Sequence, residues 1–473
     1  MSFRISLLAA SAVLAAAPFA AAQEERTALE QQAREIYRNV VEVRSARGHE
    51  NVPEIVDYLV GELKAAGFTD DDIEISDYDN DGEATQGLVV WYRSPDPQDK
   101  PIALLAHMDV VDALAEDWVR DPYTLTEEEG YFFGRGTADN KYGVTSLVAT
   151  FLRLKEEGFE PTRDLVMVLS GDEETGMVST RAQANWVAEE VDPAFVLNAD
   201  AGGLSLGNEG EPLDYGIQGA EKTYATFELT VTNPGGHSSA PRADNAIYEL
   251  ADALKKIEAH KFPVRYNDLT LASIEAAGRK RLDRLGNAQR AFAADPTDED
   301  AIEVLRANPA TVGQIGTTCI ATMLRAGHAE NALPQSATAT INCRIFPGVG
   351  IEATEATLKD VVANEDVQFK LISDLVESPE SGMREDVLAA VQTALEARGV
   401  TDVEIIPHMS AGGTDGMHYR NLGYDTYGVG GAAAKQNDTF AHGLNERLLV
   451  SSFYDGLDHF YVILKELAGP QEG

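Results

Sequence analysis

Cysteine is nearly missing from this chain: 473 residues include two, Cys319 and Cys343. A Cys-based zinc site is thereby excluded. Basic residues are also scarce. Lys and Arg number 38 against 78 Asp and Glu, a formal net charge of −40 with a pI near 4.5. Such a field disfavours nucleic acid and anionic membranes as partners, and it concentrates cations. Most of these carboxylates, including the runs at 70–72 and 127–129, read as a solvated surface. Beyond the N-terminus no apolar stretch reaches the length of a transmembrane helix. Internal repeats and long low-complexity linkers are absent as well.

The N-terminus has its own pattern. Arg4 precedes an apolar stretch at 5–19, and Ala20-Ala21-Ala22 offers an Ala-x-Ala cleavage site before Gln23. This predicts a secretory signal peptide over residues 1–22. It is too short for a stable membrane anchor and has no lipidation cysteine. The mature chain is expected to be exported, periplasmic in a Gram-negative cell or extracellular.

At 473 residues the chain exceeds what one core holds, so two domains are expected. Residues 27–66 carry apolar positions at helical spacing, and 73–94 turn to strands. Strand, loop and helix alternate to about residue 215, which suggests an α/β layer. Residues 224–231 then alternate like an antiparallel strand, and 245–257 read as a helix. A polar, helix-prone stretch at about 260–309 has few core signals and reads as an insertion. Two β-like runs, 317–325 and 337–346, flank Asn331; a helix near 352–362 and a strand near 367–372 follow. This β-α-β-β-α-β order fits a small sandwich inserted into a larger domain, whose α/β pattern resumes after about residue 374. The two cysteines are equidistant from Asn331 and can face each other across a hairpin. A disulfide and two buried thiols both remain open.

Three apolar runs stop at metal-ligand residues. PIALLA (101–106) leads into His107-Met108-Asp109, LVMVLS (165–170) into Gly171-Asp172-Glu173-Glu174, and AFVL (194–197) into Asn198-Ala199-Asp200. Runs this short and apolar read as strands buried on both faces of a parallel sheet covered by helices. Ligands bind beyond the carboxyl ends of such strands. In His107-x-Asp109, one imidazole nitrogen can bind a metal while the other donates to the carboxylate. Glu173 and Glu174 would repel each other if buried. One is then expected on a cation and the other free to take a proton from water. Asp139, in a glycine-containing loop before an apolar helix, has helix capping as its plainer role. His442, alone in a loop, would be structural more often than not. Together, however, His107, Asp139, Glu174, Asp200 and His442 supply two imidazoles and three carboxylates. With one carboxylate shared, each of two metals receives one His, one terminal carboxylate and the bridge. That set suits Zn²⁺, with Co²⁺ or Mn²⁺ as substitutes.

Nine motifs carry a further likeness: AHMDVV (106–111), GRGTADNKYG (134–143), SGDEETG (170–176), NAD (198–200), GGHSS (235–239), AENALP (329–334), CRIFPG (343–348), GGTDG (412–416) and AHGLNE (441–446). In order and spacing they resemble the M20 family of metallopeptidases and amidohydrolases, over nearly the whole mature chain. The insertion and the CRIFPG and HGLNE segments look most like the carboxypeptidase S and N-acyl-amino-acid hydrolase branch. The resemblance implies an α/β fold: a phosphorylase/hydrolase-like catalytic domain (23–216 and 376–473) with a mixed sheet covered by helices. An α+β sandwich (217–375) is inserted as a lid or dimerisation domain. It implies His107, Asp139, Glu174, Asp200 and His442 as ligands with Asp139 bridging, Glu173 as general base, and Asp109 orienting His107. His237 would stabilise an oxyanion. Asn331, Arg344, Gly412 and Gly413 would receive a substrate carboxylate.

A competing motif, Gly203-Leu204-Ser205-Leu206-Gly207, matches the G-x-S-x-G nucleophile elbow. Residues 208–215 make a poor helix, however, and the elbow needs strand, turn and helix. The expected protein is an exported, dinuclear zinc hydrolase cleaving a peptide or amide bond beside a free carboxylate in a small peptide. The alternative is a deacylase of N-acyl amino acids; more remote is a noncatalytic metal-binding protein of the same fold. A homodimer through the lid is the macromolecular partnership expected.

Overall fold

The computed structural model describes residues 26–373, 376–436 and 438–470; the expected leader at 1–22 lies outside the described residues. A ten-stranded sheet organises the larger part of the chain. Its centre is Ile102–His107, parallel to Leu165–Ser170 on one side and Phe195–Asn198 on the other. Thr426–Gly428 continues the parallel set beside Phe195–Asn198. Antiparallel pairings flank this centre, so the sheet is mixed. The carboxyl ends of the central strands emerge along one edge.

The uniform apolarity of the central strands has a direct cause. Ile102, Leu104 and Ala106 enter one core, while Ala103 and Leu105 enter another. Leu165, Met167 and Leu169 divide from Val166 and Val168 in the same way. Strand side chains alternate between faces, so a run apolar throughout must be covered on both. Helices Val52–Ala65, Lys141–Glu156, Glu385–Ala397 and Val450–Ala468 cover the first face. Val178–Trp186 contributes to the cover on the second.

A smaller antiparallel sheet follows in the order Thr318–Ala326, Ser336–Ile345, Thr223–Thr232, Gln368–Leu371. Helices Ala246–Ala259 and Ile351–Val362 bury Leu250, Ile257, Leu358 and Val362 against it. Cys319 stands opposite Cys343 in register, and the two form a disulfide. The strand Pro212–Glu221 of the large sheet runs through residue 216, where a domain boundary was expected, and the smaller sheet starts at Thr223.

The polar stretch after residue 260 is helical, as expected, but it also has a core of its own, which its few apolar signals did not suggest. Helices Asp268–Arg279, Arg284–Ala294 and Glu299–Arg306 enclose Ile274, Phe292 and Leu305. It also touches the large sheet. Leu269 packs with Ala220 and Met409, and Arg279 pairs with Glu404 at 2.6 Å. The nucleophile-elbow reading fails here. Gly203–Leu206 turns into the antiparallel strand Pro212–Glu221 rather than a helix, and the Ser205 hydroxyl donates to Asp214.

Candidate metal centre

His107 ends the central strand and is 1% exposed. Its Nδ1 lies 3.0 Å from the Asp109 backbone carbonyl. A carbonyl only accepts, so Nδ1 carries the proton and Nε2 is left for a cation. That Nε2 lies 3.1 Å from Asp139 Oδ1 and 3.6 Å from Asp200 Oδ1. His442 Nε2 lies 3.1 Å from the other oxygen of Asp139, Oδ2, and 2.7 Å from Glu174 Oε1. Asp139 thus gives one oxygen to each imidazole. It does not cap the following helix, whose N-cap is Asn140.

The donor set fits two cations. Ligands about 2.0–2.1 Å from one tetrahedral zinc lie about 3.3 Å from each other, and the His–carboxylate separations bracket that value. Candidate ligand atoms of His107, Asp139 and Glu174 fall within 4.8 Å of one another. Without a cation the charges must compensate among themselves. Burial alone would raise Asp139, but His107 and His442 hold it below the usual carboxylate range. Asp139 and Glu174 in turn raise His442 to about 10. Burial pushes Asp200 up to about 6, although Asn140 donates to it at 2.5 Å.

Glu173 is 8% exposed. Burial pushes its carboxyl well above the ordinary range, His107 opposes this, and Asp200, Asp415 and Glu174 add to it. A buried carboxyl with high proton affinity can accept a proton at neutral pH and pass it on. Asp109 does more than the sequence suggested. Its carboxylate lies 3.4 Å from His107 Nδ1, but its two oxygens accept the backbone N–H groups of Glu173 and Glu174, each at 3.0 Å. The carboxylate therefore pins the turn that carries both acids.

Sequence reasoning missed Arg135 and Glu446. Glu446 is fully buried and accepts the N–H groups of Ala138 and Asp139 at 2.8 and 3.1 Å. Arg135 reaches the same carboxylate at 2.6 Å and the Gly443 carbonyl at 3.2 Å. The pair fastens the Asp139 loop to the His442 loop. Their only sequence clue was a charge inside a glycine-bearing motif beside each ligand.

The remaining candidates group elsewhere. His237 is exposed and pairs in register with Ala332, and Ser238 N–H donates to the Asn331 carbonyl. The smaller domain thus joins His237 and Asn331. Ser239 N–H donates to His237 Nδ1, so Nε2 keeps the imidazole proton. Arg344 stacks on Tyr224 and donates to the Ala411 carbonyl at 3.1 Å, which places its guanidinium beside Gly412 and Gly413.

Residues 103–466 match the model of peptidase family M20/M25/M40. The human N-fatty-acyl-amino acid synthase/hydrolase PM20D1 is 28% identical over 395 residues, 80% of this chain and 76% of its own. A probable carboxypeptidase S-like 2 from Dictyostelium discoideum is 28% identical over 396 residues, 81% and 74% of the two chains. Among solved structures, the M20 family metallo-carboxypeptidase Sso-CP2 from Sulfolobus solfataricus superposes with a TM-score of 0.68. It has 18% identity over 93% of this chain and 99% of its own. The dipeptidase Dug1p from Saccharomyces cerevisiae gives 0.66 at 17% identity, over 94% and 97%. The chain belongs to peptidase family M20/M25/M40 and is a hydrolase of peptide or amide bonds.

Proposed function

We propose that this hydrolase is exported, uses two zinc ions, and cleaves the peptide or amide bond beside a free carboxylate in a small peptide. The carrying observation is the division of Asp139 between His107 and His442, with buried Glu173 alongside. His107, Asp139 and Asp200 would hold one ion; His442, Asp139 and Glu174 would hold the other. When bound, the ions would polarise the scissile carbonyl and favour ionisation of the attacking water. Glu173 takes the proton of that water and delivers it to the leaving amine. Asp109 keeps His107 and the Glu173-Glu174 turn in place. His237, with its proton on Nε2, donates to the developing oxyanion when the domains close or when a second copy supplies it.

Arg344, Asn331, Gly412 and Gly413 receive the substrate carboxylate. The guanidinium fork makes two charge-assisted bonds that Lys cannot copy. N-acyl amino acids satisfy the same requirement, and the likeness to PM20D1 supports that second reading. Among the described residues the edge strand Thr318–Ala326 pairs only with Ser336–Ile345, and it exposes Ile320, Met323 and Leu324, which supports pairing of two copies there.

A panel of dipeptides, C-terminally amidated peptides and N-acyl amino acids with the zinc-loaded protein tests the reading. Free-acid substrates should be hydrolysed and their amidated forms poorly. Equal rates on both would defeat the carboxylate assignment, and no turnover of any of them would place the substrate outside small peptides and N-acyl amino acids. N-terminal sequencing of the mature protein from its native cell should begin near Gln23; an intact Met1 would refute export through this leader.

A further inference from the structure

The loop at 411–416 is held from four directions. Arg344 donates to the Ala411 carbonyl at 3.1 Å. Thr414 gives its N–H and its hydroxyl to Glu221, each at 2.8 Å. That hydroxyl also accepts from Asn198 Nδ2 at 3.1 Å. The fourth hold is Asp415, whose Oδ2 accepts the Ser170 hydroxyl at 2.8 Å. Asp415 is 4% exposed, and its Oδ1 is enclosed with no hydrogen-bond partner among the described residues. Leaving an acceptor bare in the interior costs about 1–3 kcal/mol. Loop stability alone does not explain that choice, since Glu221 and Asn198 already secure the neighbouring Thr414.

The position of Ser170 supplies the explanation. It ends the strand Leu165–Ser170, and its carbonyl accepts the N–H of Met108, next to His107. Three residues further on is Glu173. One hydrogen bond therefore joins parts of the chain 245 residues apart. On one side is the loop of Gly412 and Gly413; on the other is the strand end that carries the base.

We infer that Asp415 is a positioning residue: through Ser170 it ties the loop that seats the substrate carboxylate to the strand end that carries Glu173. A carboxylate seated at Gly412 and Gly413 then fixes the base, so its recognition registers in kcat and not only in KM. The inference rests on the roles proposed above for Gly412, Gly413 and Glu173. Asp415 itself touches no reacting atom.

The test uses the zinc-loaded full chain with a free-acid substrate and its amidated form. Ser170→Ala removes one hydroxyl, Asp415→Ala removes the acceptor, and Asp415→Asn keeps an acceptor oxygen. Ser170→Ala and Asp415→Ala should each lower kcat on the free acid about 10-fold. KM and zinc content should stay near wild type, and the slow amidated reaction should hardly change. The double variant should be no worse than Asp415→Ala, and Asp415→Asn should recover most of the loss. Equal losses on both substrates, or none in Ser170→Ala, would overturn the assignment. Glu173→Gln measured alongside separates the two readings. If it is inactive while Ser170→Ala is unimpaired, the tie falls and the base stands. If Glu173→Gln is active, the base reading fails first and the tie fails with it.

Discussion

Asp139 shares its two oxygens between two imidazoles, and this sharing controls protons. In the metal-free protein Asp139 and Glu174 raise His442 to about 10. The ion pairing therefore stabilises the metal-free fold fully below the unfolded imidazole pKa and is lost as pH rises through about 10. Zinc requires the unprotonated nitrogen. Zinc binding near neutral pH should release protons, which calorimetry in buffers of different ionisation enthalpy would measure; uptake without release would remove His442 from the ligand set. Glu173→Gln should keep its zinc and lose about 10²–10⁴-fold in kcat. Because the base must be ionised to take a proton, wild-type activity should fall as pH drops through the range in which Glu173 becomes protonated. A pH–rate profile of Glu173→Gln that retains this acidic limb would assign the limb elsewhere. The candidate ligands were legible because each ends an apolar run or sits in a glycine-bearing loop. The partners of Asp109 and Asp415 were not. Asp109 bonds a turn 64 residues on, and no local spacing encodes such a pairing.

Among the elements, the core of the inserted helices is the least expected. Leu269 is 4% exposed in the cluster that joins the insertion to Ala220 and Met409. Leu269→Ala should cost about 2–4 kcal/mol of stability by leaving a cavity. Arg279 and Glu404 form a close but exposed pair, so Arg279→Ala should cost less than about 1 kcal/mol. Denaturant unfolding of both variants checks the contrast; equal effects would mean that charge, not packing, fastens the insertion. The central strands were readable because burial on both faces leaves no polar position. The helices of the insertion were readable too, but its core was not, since short helices around a small core need few apolar residues each, and Ala fills much of the rest. Residues 27–66 read as helical throughout, yet the chain breaks between Ala28–Glu42 and Val52–Ala65, where Gly48 adopts φ +88°. A single positive-φ glycine weighs little against helical periodicity on either side.

For the whole molecule, association is the property most open to test. Ile320→Lys together with Leu324→Glu should leave a monomer by light scattering if the edge strand pairs two copies. A wild-type protein already monomeric at micromolar concentration would refute the pairing. At −40 the copies repel, so association should tighten as salt rises. Mixing His237→Ala with Glu173→Gln subunits should restore activity only if His237 acts across that dimer. The burial of the ligands has one more consequence. His107 is 1% exposed, and its cation would draw on ligands from a single stretch, residues 107–200. His442 has a half-exposed side chain and comes from the last loop before the C-terminal helix. If two ions bind as proposed, they would differ in tenure: the inner one would be sequestered early and kept, while the outer one would exchange with the medium. A chelator should strip zinc in two phases, activity should vanish with the first, and His442→Ala should abolish that phase alone.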